Sequence, residues 1–306
     1  MAFIDDIKRT YSQGSMLMRL ILINIGVFIL IRLLAFGAVL FSGSSFPVLQ
    51  WVELPGDWWL ALRRPWTLVT YMFVHNDNDL WHILFNMLWL YWLGRIFMEF
   101  FSSKQLSGLY ILGGLGGGAL YLLCSNLLGH LHGRALIGSS AAVIAIVVAA
   151  AVYVPDYKIG LLFLGQVAIK WVALVTVLIA VLSLDGGNIG GNIAHLGGAA
   201  VGAWYALRIK RGRDITRPLN AMIDAVVGLF NGRSIKKVAS QWRQPAADRS
   251  GQQDAAQRQP RGARPADTVS EEELDNILRK IKVAGYDALT DAEKDKLFKA
   301  SRRREP

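Results

Sequence analysis

Six apolar stretches occupy much of the first two-thirds of this chain, at residues 16–38, 80–101, 105–128, 138–154, 166–184 and 189–207. A helix needs about 20 apolar residues to cross the hydrocarbon core of a bilayer, and its backbone polar groups must be satisfied within the element. The chain is therefore expected to be all-α and polytopic, with six spans packed into a bundle. Several stretches are short or interrupted by glycine, which suits helices that meet other helices closely. Composition agrees, since 53% of the 306 residues are hydrophobic and the mean hydropathy is +0.33. That is too apolar for an ordinary soluble protein of this length. Asp5 and Asp6 precede Lys8 and Arg9, the apolar run that follows is long, and no small-residue cleavage pattern ends it. The first stretch is therefore expected to remain as a span, not to be removed as a signal. The single cysteine, Cys124, excludes an internal disulfide and is expected to be a buried structural thiol.

Charge sets the expected orientation. From Arg208 onward, 22 Lys/Arg stand against 14 Asp/Glu, a net +8, while the 11 basic and 9 acidic residues before it leave only +2. A basic tail after the last apolar stretch fits the cytoplasmic side of a membrane, and no nucleic-acid partner is expected. Lys8, Arg9 and Arg19, then Lys104, Lys158 and the group Arg208, Lys210, Arg211 and Arg213, mark alternate loops as cytoplasmic. Both termini are thus expected inside a cell (inner) membrane. Arg63 and Arg64 run against this trend, but in a long loop whose weight is modest. That loop, 39–79, carries Trp51, Trp58, Trp59, Trp66 and Tyr71, an aromatic set expected at the headgroup level of the outer leaflet.

The remaining organisation follows from composition. Residues 1–15 form a cytoplasmic N-terminus and 16–208 the membrane domain. Segment 209–239 reads as an amphipathic juxtamembrane helix, with Ile215, Leu219, Met222, Ile223, Val226, Leu229 and Phe230 at helical spacing. Residues 240–269, rich in Gln, Ala, Arg and Pro, read as a disordered linker. In the last segment, 270–306, two capping boxes, Ser270-x-x-Glu273 and Thr290-x-x-Glu293, predict a helical hairpin over 270–301 turning at Gly285. A cytoplasmic docking or regulatory partner is the expectation for it.

Three polar strings lie near the starts of three apolar stretches: His82-Ile-Leu-Phe-Asn86, Gly138-Ser139-Ser140-Ala141 and Ala194-His195-Leu-Gly-Gly198. Polar side chains at that depth are costly unless paired. With the termini inside, the second, fourth and sixth spans all begin at the outer face, so the strings share one shallow layer. Gly190, Ala194, Gly198 and Gly202 recur every four residues on the sixth span, and Ala141, Ala145 and Ala149 on the fourth. Such stripes let two helices approach until Ser140 Oγ reaches the His195 ring, the arrangement in which a base activates a hydroxyl. His82 and Asn86, one turn apart on one face, can point into the same space, and the Ser140 backbone N–H opens a helix. Together these three are candidate oxyanion donors. Ser139 is a rival nucleophile, projecting about 100° away around that helix. The string lacks the glycine two residues after serine that marks the nucleophile elbow of soluble hydrolases.

In these residues, and in Pro65-Trp66-Thr-Leu-Val-Thr-Tyr71-Met-Phe and His75, the chain resembles the rhomboid family of intramembrane serine proteases over roughly 16–208. The resemblance implies a six-helix rhomboid-like bundle with a small helical cytoplasmic extension. It implies a Ser140–His195 catalytic dyad without a third carboxylate, oxyanion support from His82, Asn86 and Ser140, and no cofactor or metal. It also implies cleavage of single-span membrane proteins near the outer face. The chain departs from the family at three points: Ala141 replaces the usual glycine after the nucleophile, Ile144 an aromatic, and Trp66-Thr67 a Trp-Arg pair. The alternative is a non-catalytic rhomboid-like protein that binds transmembrane helices. A metal-binding or transport role for His75, His82, His130, His132 and His195 would need clustered soft or carboxylate ligands, whereas carboxylates are nearly absent from the apolar stretches and no inverted repeat is evident.

Overall fold

The computed structural model describes residues 15–42, 48–76, 79–129, 134–161, 165–184 and 186–230, with 277, 280, 289–290 and 292–293 in the tail. The chain divides into two compact units, Met1–Ala239 and Ser240–Pro306. Each of the six apolar stretches holds a helix. The first is α1 (Met16–Ser42), after which a loop carries α2 (Leu49–Val52), β1 (Leu54–Pro55), α3 (Trp58–Arg63), α4 (Thr67–Thr70) and a 3-10 turn, Tyr71–Phe73. Then come α5 (Leu80–Phe100), α6 (Ser103–Leu128), β2 (Ala135–Leu136), α7 (Ser140–Tyr153), β3 (Lys158–Leu161), β4 (Gly165–Ala168), α8 (Ile169–Leu182), α9 (Ile189–Lys210) and α10 (Arg217–Phe230). Among the described residues, α1 over Met16–Phe41 and α6 are long and apolar enough to cross a membrane. The helices α7 and α8 are shorter apolar ones.

Local chemistry sets the helix ends. Asp79 accepts from the Trp81 amide to open α5, and Asn188 accepts from the Gly191 amide to open α9. Ser102 and Gln105 form a reciprocal capping box at the start of α6. The same helix stops at Gly129, whose φ of +67° carries the chain out of the helical turn.

The packing is unequal. Every residue of α7 from Ala141 to Ala151 is buried, so this helix of about 21 Å is enclosed by protein along most of its length. Its neighbours approach on glycine. A Cβ at Gly198 or Gly202 of α9 would collide with the carbonyls of Ala141 and Ala145, and one at Gly117 of α6 would stand 2.6 Å from the Ala141 methyl. The Gly-rich face of α6, at Gly113, Gly116 and Gly117, is thus a third wall of this packing, which the stripes on the fourth and sixth spans do not reveal. By contrast, α8 buries only Ile169, Ala173 and Ala180, leaving Leu174, Val175, Leu178 and Ile179 exposed.

Two expectations are corrected. Tyr71 is no headgroup aromatic: it is 1% exposed, and its hydroxyl donates to the Gly114 carbonyl at 2.6 Å. Trp51, Trp58, Trp59 and Trp66 do stay exposed. The stretch expected to be helical from 166 begins its helix only at Ile169, because Gly165–Ala168 pairs antiparallel with Lys158–Leu161. Gly165, at φ +70°, turns the chain into that hairpin.

A second antiparallel pair, Leu54 with Leu136 and Pro55 with Ala135, ties the long loop to the segment that enters α7. On α10, Asn220 Nδ2 donates to the Lys104 carbonyl and Lys104 pairs with Asp224 at 2.6 Å, while Met222, Val226 and Val227 are exposed. In the second unit, Thr290 and Glu293 exchange the hydrogen bonds of a capping box, and Lys280 meets Glu293 at 2.9 Å. The expected N-terminal segment 1–14, the linker 240–269, the Ser270 capping box, the Gly285 turn, His130 and His132 lie outside the described residues.

Candidate active site

Ser140 is the first residue of α7, and the turn that delivers it depends on Gly138. Its φ of +117° disfavours any side chain, and a Cβ there would stand 2.9 Å from His82 Nε2 and 3.8 Å from Ser140 Oγ. The Gly138 amide donates to the Tyr71 carbonyl at 3.0 Å, which anchors the turn to the loop before α5. The close seating of α9 on α7 then brings His195, a half-buried residue, to Ser140. His195 Nε2 and Ser140 Oγ lie 2.7 Å apart.

His82, Asn86, Ser140 and His195 line one cavity of about 670 Å³, together with Ile144 and Trp89. The structure thus brings together all four residues singled out in the sequence. His82 Nδ1 accepts from the Asn76 amide at 3.3 Å, and Nε2 is the nitrogen nearest Gly138. Asn86 is 8% exposed, and its Nδ2 donates to the His82 carbonyl at 2.8 Å. An amide nitrogen carries two hydrogens, so this bond leaves a second one for the cavity. The chemistry such an arrangement supports is nucleophilic attack by a hydroxyl whose proton passes to an adjacent imidazole, beside groups able to donate to a developing oxyanion. Among the described residues, no three His, Cys, Asp or Glu side chains group as a metal site.

Ser139 turns away from the cavity. It is 0% exposed, and its Oγ lies 3.2 Å from Nε2 of His75, itself 1% exposed. Burial, with the charge of a neighbouring His82, pushes the His75 ring down to about 4. The His75 and His82 rings meet edge to face with centroids 5.2 Å apart. Sequence reasoning gave no role to this second serine–histidine contact or to the Asn76 amide. A backbone donor has no residue-type signal, and the partner of a buried serine depends on which loop passes it.

Comparison with known proteins places the same residues in a known domain. Residues 62–212 match the Rhomboid domain, and all the site residues fall within that span. The chain is also 32% identical over 161 residues to RHOMBOID-like protein 12, mitochondrial, from Arabidopsis thaliana. That match covers 48% of this chain and 47% of the relative, so the chain spans about half the length of the curated relative it matches.

Proposed function

The chain belongs to the rhomboid family, and from that premise we propose that it is an intramembrane serine endopeptidase acting through Ser140 and His195. The observation that carries this reading is the 2.7 Å contact between Ser140 Oγ and His195 Nε2, both lining a cavity of about 670 Å³. In this reading His195 takes the hydroxyl proton as Oγ bonds to the scissile carbonyl carbon, and gives it to the departing amine as the C–N bond breaks. Water, activated by the same imidazole, then hydrolyses the acyl-enzyme and returns the serine. The second amide hydrogen of Asn86, the His82 ring and the Ser140 backbone N–H stabilise the oxyanion.

The substrates are single-span membrane proteins, cut near the outer face of a cell (inner) membrane. Six spans, α1 and α5 to α9, leave both termini in the cytoplasm, as the basic residues before α1, between α5 and α6 and after α9 support. Their lipid-facing sides contact the bilayer directly, and the exposed apolar face of α10 lies on its inner surface.

Cleavage of a single-span reporter by the purified protein in detergent tests the proposal, with Ser140→Ala and Ser139→Ala alongside. Abolished cleavage in Ser140→Ala with cleavage retained in Ser139→Ala is the expected result. A wild type that cuts none of several reporters yet retains them on pull-down would favour the helix-binding alternative instead.

A further inference from the structure

A set of polar contacts leads from His82, at the cavity, to buried residues of the fold. His82 Nδ1 accepts the Asn76 amide at 3.3 Å, and Asn76 is the chain neighbour of His75. His75 meets Ser139 at 3.2 Å. Nearby, the Tyr110 hydroxyl of α6 donates to the Met72 carbonyl at 2.8 Å and accepts from Asn24 Nδ2 of α1 at 3.1 Å. Asn24, Ser139 and His75 are all essentially inaccessible to solvent. For a group sealed in this way no water replaces a lost partner, so the contact between His75 Nε2 and Ser139 is costly to break.

The direction of one hydrogen bond gives this chain of contacts a consequence at the cavity. A ring nitrogen that accepts an N–H carries no hydrogen itself, so the Asn76 amide puts the hydrogen of a neutral His82 on Nε2. Nε2 is the nitrogen that would lie 2.9 Å from a Cβ at Gly138, a point itself 3.8 Å from Ser140 Oγ. In the opposite tautomer Nε2 would present a lone pair to an oxyanion, and the ring would repel what it otherwise binds.

We propose that His75 is a positioning residue: seated on Ser139, it holds the Asn76 amide against His82 Nδ1 and fixes His82 as the tautomer that donates from Nε2 into the cavity. The proposal rests on the reading of His82 as an oxyanion donor.

The test uses the full-length protein in detergent, with His75→Phe, Ser139→Ala, their double variant and the conservative His75→Gln. Loss of the bond lowers kcat about tenfold in either single variant, since it weakens one oxyanion donor without removing it, and KM stays within about twofold. The double variant is no slower than the slower single one, because both remove the same interaction. His75→Gln, which can still bond Ser139, recovers part of the rate. Nitrogen-15 NMR of the histidine rings, with His82 assigned through His82→Asn, gives a readout independent of turnover. The wild type shows a bare Nδ1 and a protonated Nε2 on His82, and Ser139→Ala gives a mixture of tautomers.

An unchanged His82 spectrum in Ser139→Ala overturns the proposal whatever the rates do, and so does a double variant whose losses simply multiply. Ser139→Ala removes only one oxygen, so it decides the matter even if His75→Phe does not fold. A wild type that cuts no reporter overturns the protease reading, and the His82 spectrum then still decides whether His75 sets the tautomer.

Discussion

Two adjacent serines each meet a histidine, and they differ in almost everything else. Ser140 Oγ lies 2.7 Å from His195 at the edge of a cavity, whereas Ser139 Oγ lies 3.2 Å from His75 where neither residue reaches solvent. The residue types are the same, and the two serines are neighbours in the chain. One step around the start of a helix is about 100°, enough to send one hydroxyl toward the cavity and the other into the packing. Only the first has room for a carbonyl carbon. A serine–histidine contact therefore marks a nucleophile only where a substrate can reach it; elsewhere the same contact holds structure in place.

The sharpest way to break this contrast is to remove each hydroxyl in turn. Ser140→Ala is expected to lower cleavage of a single-span reporter by about 10⁴-fold or more, as loss of a nucleophile does. Ser139→Ala loses only about tenfold. Equal losses in the two variants would mean that access does not separate them. Next in size is Asn86→Ala, expected to lower kcat by about 10- to 100-fold with little change in KM, because an oxyanion donor acts mainly in the transition state. A change confined to KM would instead make Asn86 a substrate contact.

A smaller effect is expected from Gly198→Ala, which places a methyl against the Ala141 carbonyl and pushes α9 off α7. It should cost about 1–3 kcal/mol of stability, read as a lower melting temperature in detergent, and slow cleavage as His195 moves from Ser140. The smallest effect concerns the sealed pair. Because burial holds the His75 ring at about 4 against an ordinary 6.5, the unfolded chain binds a proton between those values that the folded chain does not. The contribution of His75 to stability is full above pH 6.5 and falls as the pH drops toward 4. His75→Gln should flatten part of that slope in melting curves taken at pH 7.5 and 5, and an unaltered slope would show that the ring is not held neutral.

Much of the architecture is legible in the residues alone. Long apolar stretches satisfy their own backbone polar groups as helices, so six helices fall where hydropathy puts them, with boundaries that move by a few residues. The convergence of His82, Asn86, Ser140 and His195 on one cavity is also readable in outline, because small residues at every fourth position announce which helix faces come close. The hairpin from Lys158 to Ala168 was not readable, since Gly165–Ala168 is too short to carry a strand period of its own and only pairing with Lys158–Leu161 separates it from the helix it precedes. Tyr71 illustrates the same limit. An aromatic in a tryptophan-rich loop suits a membrane interface, yet the neighbouring carbonyl of Gly114 and the close approach of α6 draw it into the core.

The set of helices and the chemical kinds of side chain available to them follow from the residues without reference to the rest of the fold. Periodicity and hydropathy are local, and a helix satisfies its own backbone. The tertiary structure alone decided which serine faces the cavity, which loop amide holds His82, and which glycines of α6 let α7 be enclosed. Those outcomes depend on contacts between segments far apart in the chain, such as the 64 residues separating His75 from Ser139, and no local pattern encodes which distant partner a buried polar group will meet.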